Sequence, residues 1–201
     1  MDNKHILVAL TGASGSMYGL RLVEQLNLNG FRVTFTASCS GSMVCSEETG
    51  LDLSGDLDRA TQRLYAHLEV NSGIQMVHPD DLFCASASGS SAPDAMVVCP
   101  CSMGTLARIA AGISGNLIER SADVMLKERR PLLLVPRETP LSDIHLENML
   151  KLSRSGARII PAMPAFYSRP ESVLDLVDFV VGKVLDQLGI ENDLYKRWGT
   201  E

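Results

Sequence analysis

Between Leu126 and Pro170 the sequence LKERRPLLLVPRETPLSDIHLENMLKLSRSGARIIPAMPAFYSRP gathers Lys127, Arg129, Arg130, Arg137, Glu138 and Tyr167 around two short apolar runs. Those runs, Leu132–Val135 and Ala157–Ile160, have the length and the Val/Leu/Ile content of buried strands. A basic cluster precedes the first run and an Arg-Glu pair follows it, so charge sits at both ends of one strand. On a chain of formal charge −6, concentrated positive charge points to a small anion, phosphate above all. The alternative is a solvated helix end, where each cation gains about 0.3–1 kcal/mol from the helix dipole. Arg137-Glu138 favours the ligand reading, because α/β proteins bind their ligands just beyond the ends of buried strands.

Three small-residue turns carry hydroxyl groups. Thr11–Gly15 (TGASG) lies between an apolar run and a helical pattern, where helix-start amides can hold a phosphate. Gly12 and Gly15, separated by two residues, do not make G-x-G-x-x-G, and no Lys-Ser/Thr follows as in a P-loop. Ser14 adds a hydroxyl there. Ser38-Cys39-Ser40-Gly41-Ser42 and Cys101-Ser102-Met103-Gly104-Thr105 repeat the pattern, and together the three form a polar cradle for a phosphorylated ligand. Ser102 also reads as an N-cap, worth about 1 kcal/mol. The polar stretch Ser86–Pro93 (SASGSSAP) reads as an active-site loop. His5, His67, His78 and His145 are scattered and read as structural or solvated; no spacing suggests a metal or a Ser-His-Asp triad.

Alternating patterns must position these groups. Strands are predicted at His5–Leu10, Arg32–Ala37, Ile74–His78, Ala95–Cys99, Leu132–Val135 and Ala157–Ile160. Helices are predicted at Ser16–Asn27, Ser42–Thr49, Leu57–Leu68, Met103–Ala111, Leu117–Glu128, Asp143–Ser153 and Glu171–Leu188, with Gly30, Gly112 and Gly156 closing three of them. The acidic stretch Leu51–Asp56 reads as a loop whose charges are solvated. The alternation implies an α/β, Rossmann-like or flavodoxin-like fold, a three-layer doubly wound parallel sheet. At 201 residues, 45% hydrophobic and 21% charged, residues 1–201 read as one globular domain. The apolar run Ile6–Leu10 is too short for a signal sequence, and no run is long enough to span a bilayer. Cys39, Cys45, Cys84, Cys99 and Cys101 are odd in number and without zinc or redox spacing, so they read as free thiols in the cytoplasm.

TGASG, SGSSAPDAMVVCPCSMGTLARIA, NLIERSADVMLKERRPLLLVPRE and HLENMLKLSRSGARIIPAMPAFYSRP closely resemble the UbiX flavin prenyltransferase family, nearly end to end and through the Arg197-Trp198-Gly199 tail. The resemblance implies an enzyme that moves a dimethylallyl group from dimethylallyl phosphate to reduced FMN, joining N5 and C6 without a metal. The prenylated FMN then serves UbiD-type decarboxylases, for example in ubiquinone biosynthesis. It also implies a homododecamer with active sites between subunits, to which the C-terminal helix and tail (about 171–201) contribute. No nucleic acid or membrane partner is implied.

Carried over position by position, the family's FMN contacts fall on Gly12, Ala13, Ser14, Ser38, Ser102, Met103, Gly104, Thr105 and Arg137. Its prenyl-phosphate contacts fall on Lys127, Arg137, Glu138, Tyr167 and Lys183, the last an Arg in many relatives. The catalytic set becomes Ser14, Glu138, Glu48 and Lys127. Fixed cations suit a departing phosphate, and Glu138, relayed by Ser14, suits the base that deprotonates the flavin ring. The π face that would shield an allyl cation falls either to Phe83 or to the flavin itself.

Two other readings compete. FMN-dependent cysteine decarboxylases carry a PAMN-x-x-MW segment and an early catalytic His, whereas this chain has PAMPAFY at Pro161–Tyr167 and no His between His5 and His67. A catalytically silent flavoprotein subunit would lack Glu138 or Lys127, and both are present.

Overall fold

The computed structural model describes residues 4–199. Six parallel strands form one sheet in the order β3-β2-β1-β4-β5-β6. They are β1 (His5–Leu10), β2 (Arg32–Ala37), β3 (Ile74–Met76), β4 (Ala95–Cys101), β5 (Leu132–Pro136) and β6 (Arg158–Ile159). The helices are α1 (Ser16–Leu28), α2 (Cys39–Thr49), α3 (Leu57–Leu68), α4 (Met103–Ala110), α5 (Leu117–Lys127), α6 (Asp143–Arg154) and α7 (Val173–Leu188).

The strands read as unbroken apolar runs because helices cover both faces of the sheet. Along β1 successive side chains enter opposite layers. Ile6, Val8 and Leu10 pack with α1, α3 and α7, while Leu7 and Ala9 pack with α4, α5 and α6. This is the expected three-layer, doubly wound architecture. Among the described residues no helix is long and apolar enough to cross a membrane.

Boundaries move where side chains decide them. The second helix begins at Cys39, ahead of the predicted Ser42, because the Ser38 side chain caps it by accepting from the Gly41 amide. Strand β4 runs through Pro100 to Cys101 with a shift of register after Val98. The final helix starts at Val173, where Ser172 and Asp175 form a capping box. In the stretch Leu51–Asp56 the Asp52 and Asp56 charges are exposed as expected, while Leu51 and Leu53 are buried in the α1-side core and Asp56 caps α3.

Candidate functional site

The strand order reverses direction between β1 and β4, and ligand crevices in such sheets open outside the carboxyl ends of the strands at that point. Thr11 ties the two flanking turns together. Its hydroxyl donates to the Pro100 carbonyl at 2.8 Å and accepts from the Ser102 amide at 2.7 Å. Turn 38–42 closes in from the side, and a Cβ on Gly12 would stand 2.5 Å from the Ser40 hydroxyl. Only glycine allows that approach. Three of the predicted turns therefore meet at one edge.

Of the three helix starts these turns open, those of α1 and α4 differ most plainly. Gly15, the residue before α1, takes φ 108° and has no side chain to cap the helix. Glu48 of α2 does so instead. Its two carboxylate oxygens each accept from the Gly15 amide at 3.0 Å, and one accepts from the Ser16 amide at 2.8 Å. Partial burial pushes the Glu48 carboxyl up, but the Ser14 hydroxyl and the Ser16 and Gly15 amides outweigh this and hold it below the usual range. The start of α1, predicted as a phosphate seat, is thus already filled by an anion. At α4 the Ser102 hydroxyl accepts from the Thr105 amide at 3.3 Å, leaving the Met103 and Gly104 amides without an acceptor among the described residues. A Cβ on Gly104 would meet only the Arg108 guanidinium, at 3.5 Å, so open space lies above this helix start. This helix start can therefore receive a phosphate, as can that of α2, where the Ser38 hydroxyl takes the Gly41 amide and the Cys39 and Ser40 amides have no acceptor among the described residues.

Arg137, leaving β5, donates from Nε to the Ser14 carbonyl at 3.0 Å and so joins the same edge. Glu138 accepts from the Thr139 amide at 3.1 Å. Among the described residues no hydrogen bond links Ser14 directly to Glu138, and the Ser14 hydroxyl is near enough to Glu48 to help hold its carboxyl low.

The other predicted anion ligands lie elsewhere in the chain. Lys127 ends α5, before β5 begins, and pairs with Glu128. A strand of five residues separates it from Arg137, about 16 Å at the usual rise. The loop predicted to line the site keeps Lys127 company at that far edge: a Cβ on Gly89 would stand 2.8 Å from the Lys127 ammonium. This loop is pinned rather than loose. Ser121 donates to the Ser86 carbonyl, Arg120 to that of Ala87, and Arg130 to those of Ala92 and Pro93. Lys183 and Tyr167 form a third group beside Phe179 on α7. Among the described residues no hydrogen bond or ion pair links Lys127, Tyr167 or Lys183 to Arg137 or Glu138. Phe83, a candidate cation shield, is fully exposed.

Two braces escaped the sequence reading. Thr11 carries no distinguishing signal in one sequence. Glu119 does: it follows the helix cap Asn116 by three residues, the capping-box spacing. Its buried carboxylate accepts from Arg108, the Gly115 amide and Asn116, and Arg108 also reaches the Thr105 hydroxyl at 3.3 Å. The predicted minor histidines include two structural ones, with His145 completing the cap of α6 and His5 buried against the Thr34 hydroxyl. Cys99 and Cys101 are fully buried thiols, pushed up by desolvation, Cys101 to about 12. Among the described residues no cluster of His, Cys, Asp or Glu could hold a metal ion.

The flavoprotein family model matches residues 1–185. The flavin prenyltransferase UbiX of Halalkalibacterium halodurans is 52% identical over 96% of this chain and 93% of its own length. That of Pseudomonas aeruginosa is 51% identical over 98% and 95%. The chain belongs to the UbiX flavin prenyltransferase family. Among solved structures of this family, AnUbiX in complex with FMN and dimethylallyl pyrophosphate superposes with a TM-score of 0.88, at 38% identity over 99% of both chains. The dodecameric FMN-dependent UbiX-like decarboxylase from Escherichia coli O157:H7 gives 0.86, at 41% identity over 98% of this chain and 100% of that one. A PPC decarboxylase mutant complexed with pantothenoylaminoethenethiol is 16% identical over 84% of this chain and 86% of its own, with a TM-score of 0.59, a likeness of fold alone.

Proposed function

We propose that this chain is a flavin prenyltransferase that moves the dimethylallyl group of dimethylallyl phosphate onto reduced FMN. The observation that carries the reading is the edge where turns 11–15, 38–42 and 101–105 meet beside Arg137, in a chain that matches prenyltransferases nearly end to end. FMN, when bound, supplies the nucleophilic ring. The Met103 and Gly104 amides, with the Ser102 and Thr105 hydroxyls, receive its phosphate, and Gly12, Ala13, Ser14 and Ser38 border its ring system.

The residues of this chain then divide the work. Arg137 anchors the departing phosphate, whose growing charge needs fixed donors. Glu138 stands next to Arg137 and takes the proton lost from the ring by way of that phosphate. Ser14 and Glu48 stand together on the ring side of the crevice, where Glu48 holds the start of α1.

Lys127, Tyr167 and Lys183 reach the same phosphate from neighbouring copies of the chain. One chain holds them in patches apart from Arg137, so the anion site closes only on assembly. Exposed apolar side chains on α6 and before α7, among them Ile144, Leu150, Met163 and Phe166, supply surface for it. The assembly is a homododecamer of single-domain subunits (1–201), with α7 and the tail at the contacts, in line with the dodecameric relative. The product passes to a UbiD-type decarboxylase. The five unpaired cysteines fit the cytoplasm.

Purified protein incubated with reduced FMN and dimethylallyl phosphate should yield a flavin heavier by one isoprene unit and one released phosphate per turnover. An unchanged flavin mass with tightly bound FMN would refute prenyl transfer.

A further inference from the structure

Past the C-cap Gly189, segment 190–199 doubles back along α7, with Ile190 and Leu194 packed on the core. The Tyr195 ring is buried, at 8% exposure, and seats over Gly182, where a Cβ would come within 2.5 Å of it. This explains a glycine in the middle of a helix, which otherwise weakens it. Asp186, one turn further along α7, fastens the segment. Its carboxylate accepts from the Tyr195 hydroxyl at 2.6 Å, from Arg197 at 2.8 and 3.1 Å, and from Asn192 at 3.0 Å.

Two side chains are held by this return. The Lys183 ammonium lies 5.1 Å from the Tyr195 ring centre and 5.8 Å from that of Phe179, within cation–π range. Tyr167 is gripped edge-on between Phe179 at 5.8 Å and Trp198 at 5.2 Å. Lys183 and Tyr167 are remote in sequence, yet one ten-residue segment fixes both. The Tyr195 hydroxyl, first among its neighbours, also keeps the Lys183 ammonium firmly protonated.

We infer that segment 190–199 is a positioning strap for the anion-binding pair Lys183 and Tyr167, with Asp186 and Tyr195 as its anchor and Trp198 as its clamp. The inference rests on the proposed role of that pair toward the prenyl phosphate. A free lysine and a free tyrosine lose rotamer freedom when they close on an anion, whereas a preordered pair has already lost it. Asp186, Tyr195 and Trp198 are therefore positioning residues, acting through Lys183 and Tyr167.

Calorimetric titration of the FMN-loaded protein with dimethylallyl phosphate tests this. Trp198→Ala and Tyr195→Phe should each weaken binding about three- to tenfold, the cost of re-ordering one or two long side chains. Trp198→Phe should restore it, and FMN affinity should not move in any variant. A merely structural role would lower the fraction of active protein and leave the dissociation constant unchanged. Equal affinity in wild type, Trp198→Ala and Tyr195→Phe overturns the strap, as does a wild-type protein that does not bind dimethylallyl phosphate. Graded binding without any prenylated product leaves the strap standing and refutes prenyl transfer instead.

Discussion

Replacing Glu48 by Gln distinguishes the start of α1 from the other helix starts at the crevice. The wild-type carboxylate takes amide bonds from Gly15 and Ser16 at the N-terminus of a helix that has no cap of its own. Hydrogen bonds to a charged group contribute about 1.5–3 kcal/mol, and an anion at a helix start about 0.3–1 kcal/mol. Glu48 is solvent-exposed, so screening brings the total toward the low end of that range. Gln keeps one acceptor oxygen and loses the charge, for a cost of about 1 kcal/mol; Ala loses both, for about 2 kcal/mol. With a urea m-value of about 2 kcal/mol/M, the midpoints should fall by about 0.5 M and 1 M at neutral pH. The Glu48 carboxyl is held below its ordinary value in the folded chain. Its stabilisation is therefore complete above the unfolded value of about 4.3 and is lost as pH falls through the folded value. The gap between wild type and Glu48→Gln should close correspondingly in acid. Flavin affinity should stay put if the phosphate sits at α4 as proposed, while prenyl transfer slows. Equal urea midpoints at neutral pH, or a gap that survives full protonation, would sink the capping account. Tighter flavin binding by Glu48→Gln would mean that the freed amides at α1 are the phosphate seat and that the assignment to α4 is wrong.

Other changes address the remaining parts. Ser102→Ala removes the α4 cap, should cost about 1 kcal/mol in thermal or urea unfolding, and should weaken FMN binding in a fluorescence titration; unchanged flavin affinity would clear that turn of any binding role. Glu138→Gln and Ser14→Ala should keep FMN but lose most of the prenylation rate, and wild-type turnover by Glu138→Gln would remove it as the base. Lys127→Ala and Arg137→Ala should each be inactive alone and partly active when co-expressed in one assembly, because intact residues then meet across copies; no recovery would place both in one chain's site. In thiol labelling of the native protein near pH 8, exposed Cys39 should react first and half-buried Cys84 more slowly, while Cys45, Cys99 and Cys101 wait for unfolding.

The layers of the fold and the chemistry of its loops follow from local patterns along the chain. Unbroken apolar runs such as His5–Leu10 can be satisfied only in a sheet covered on both faces, and glycines at the helix ends mark where each crossover turns. Hydroxyl-rich turns after three of those runs then had to share the carboxyl edge of one parallel sheet. Which of their helix starts stays open to an anion depends on packing between elements remote in sequence. Glu48 reaches the α1 start from 33 residues away, and no local pattern announces a cap supplied by another helix. The resemblance groups Lys127, Arg137, Tyr167 and Lys183, but that one chain holds them in separate patches was beyond it. Lys127 and Arg137 are ten positions apart, and, as the charge at both ends of one apolar run implied, the strand between them carries them to opposite edges of the sheet. Tyr167 and Lys183 look unrelated, and the returning tail brings them together through Phe179, Tyr195 and Trp198. Short-range periodicity fixes what each element buries; the direction in which a strand carries a charge, and which distant carboxylate fills a helix end, are set by the packing of the whole chain.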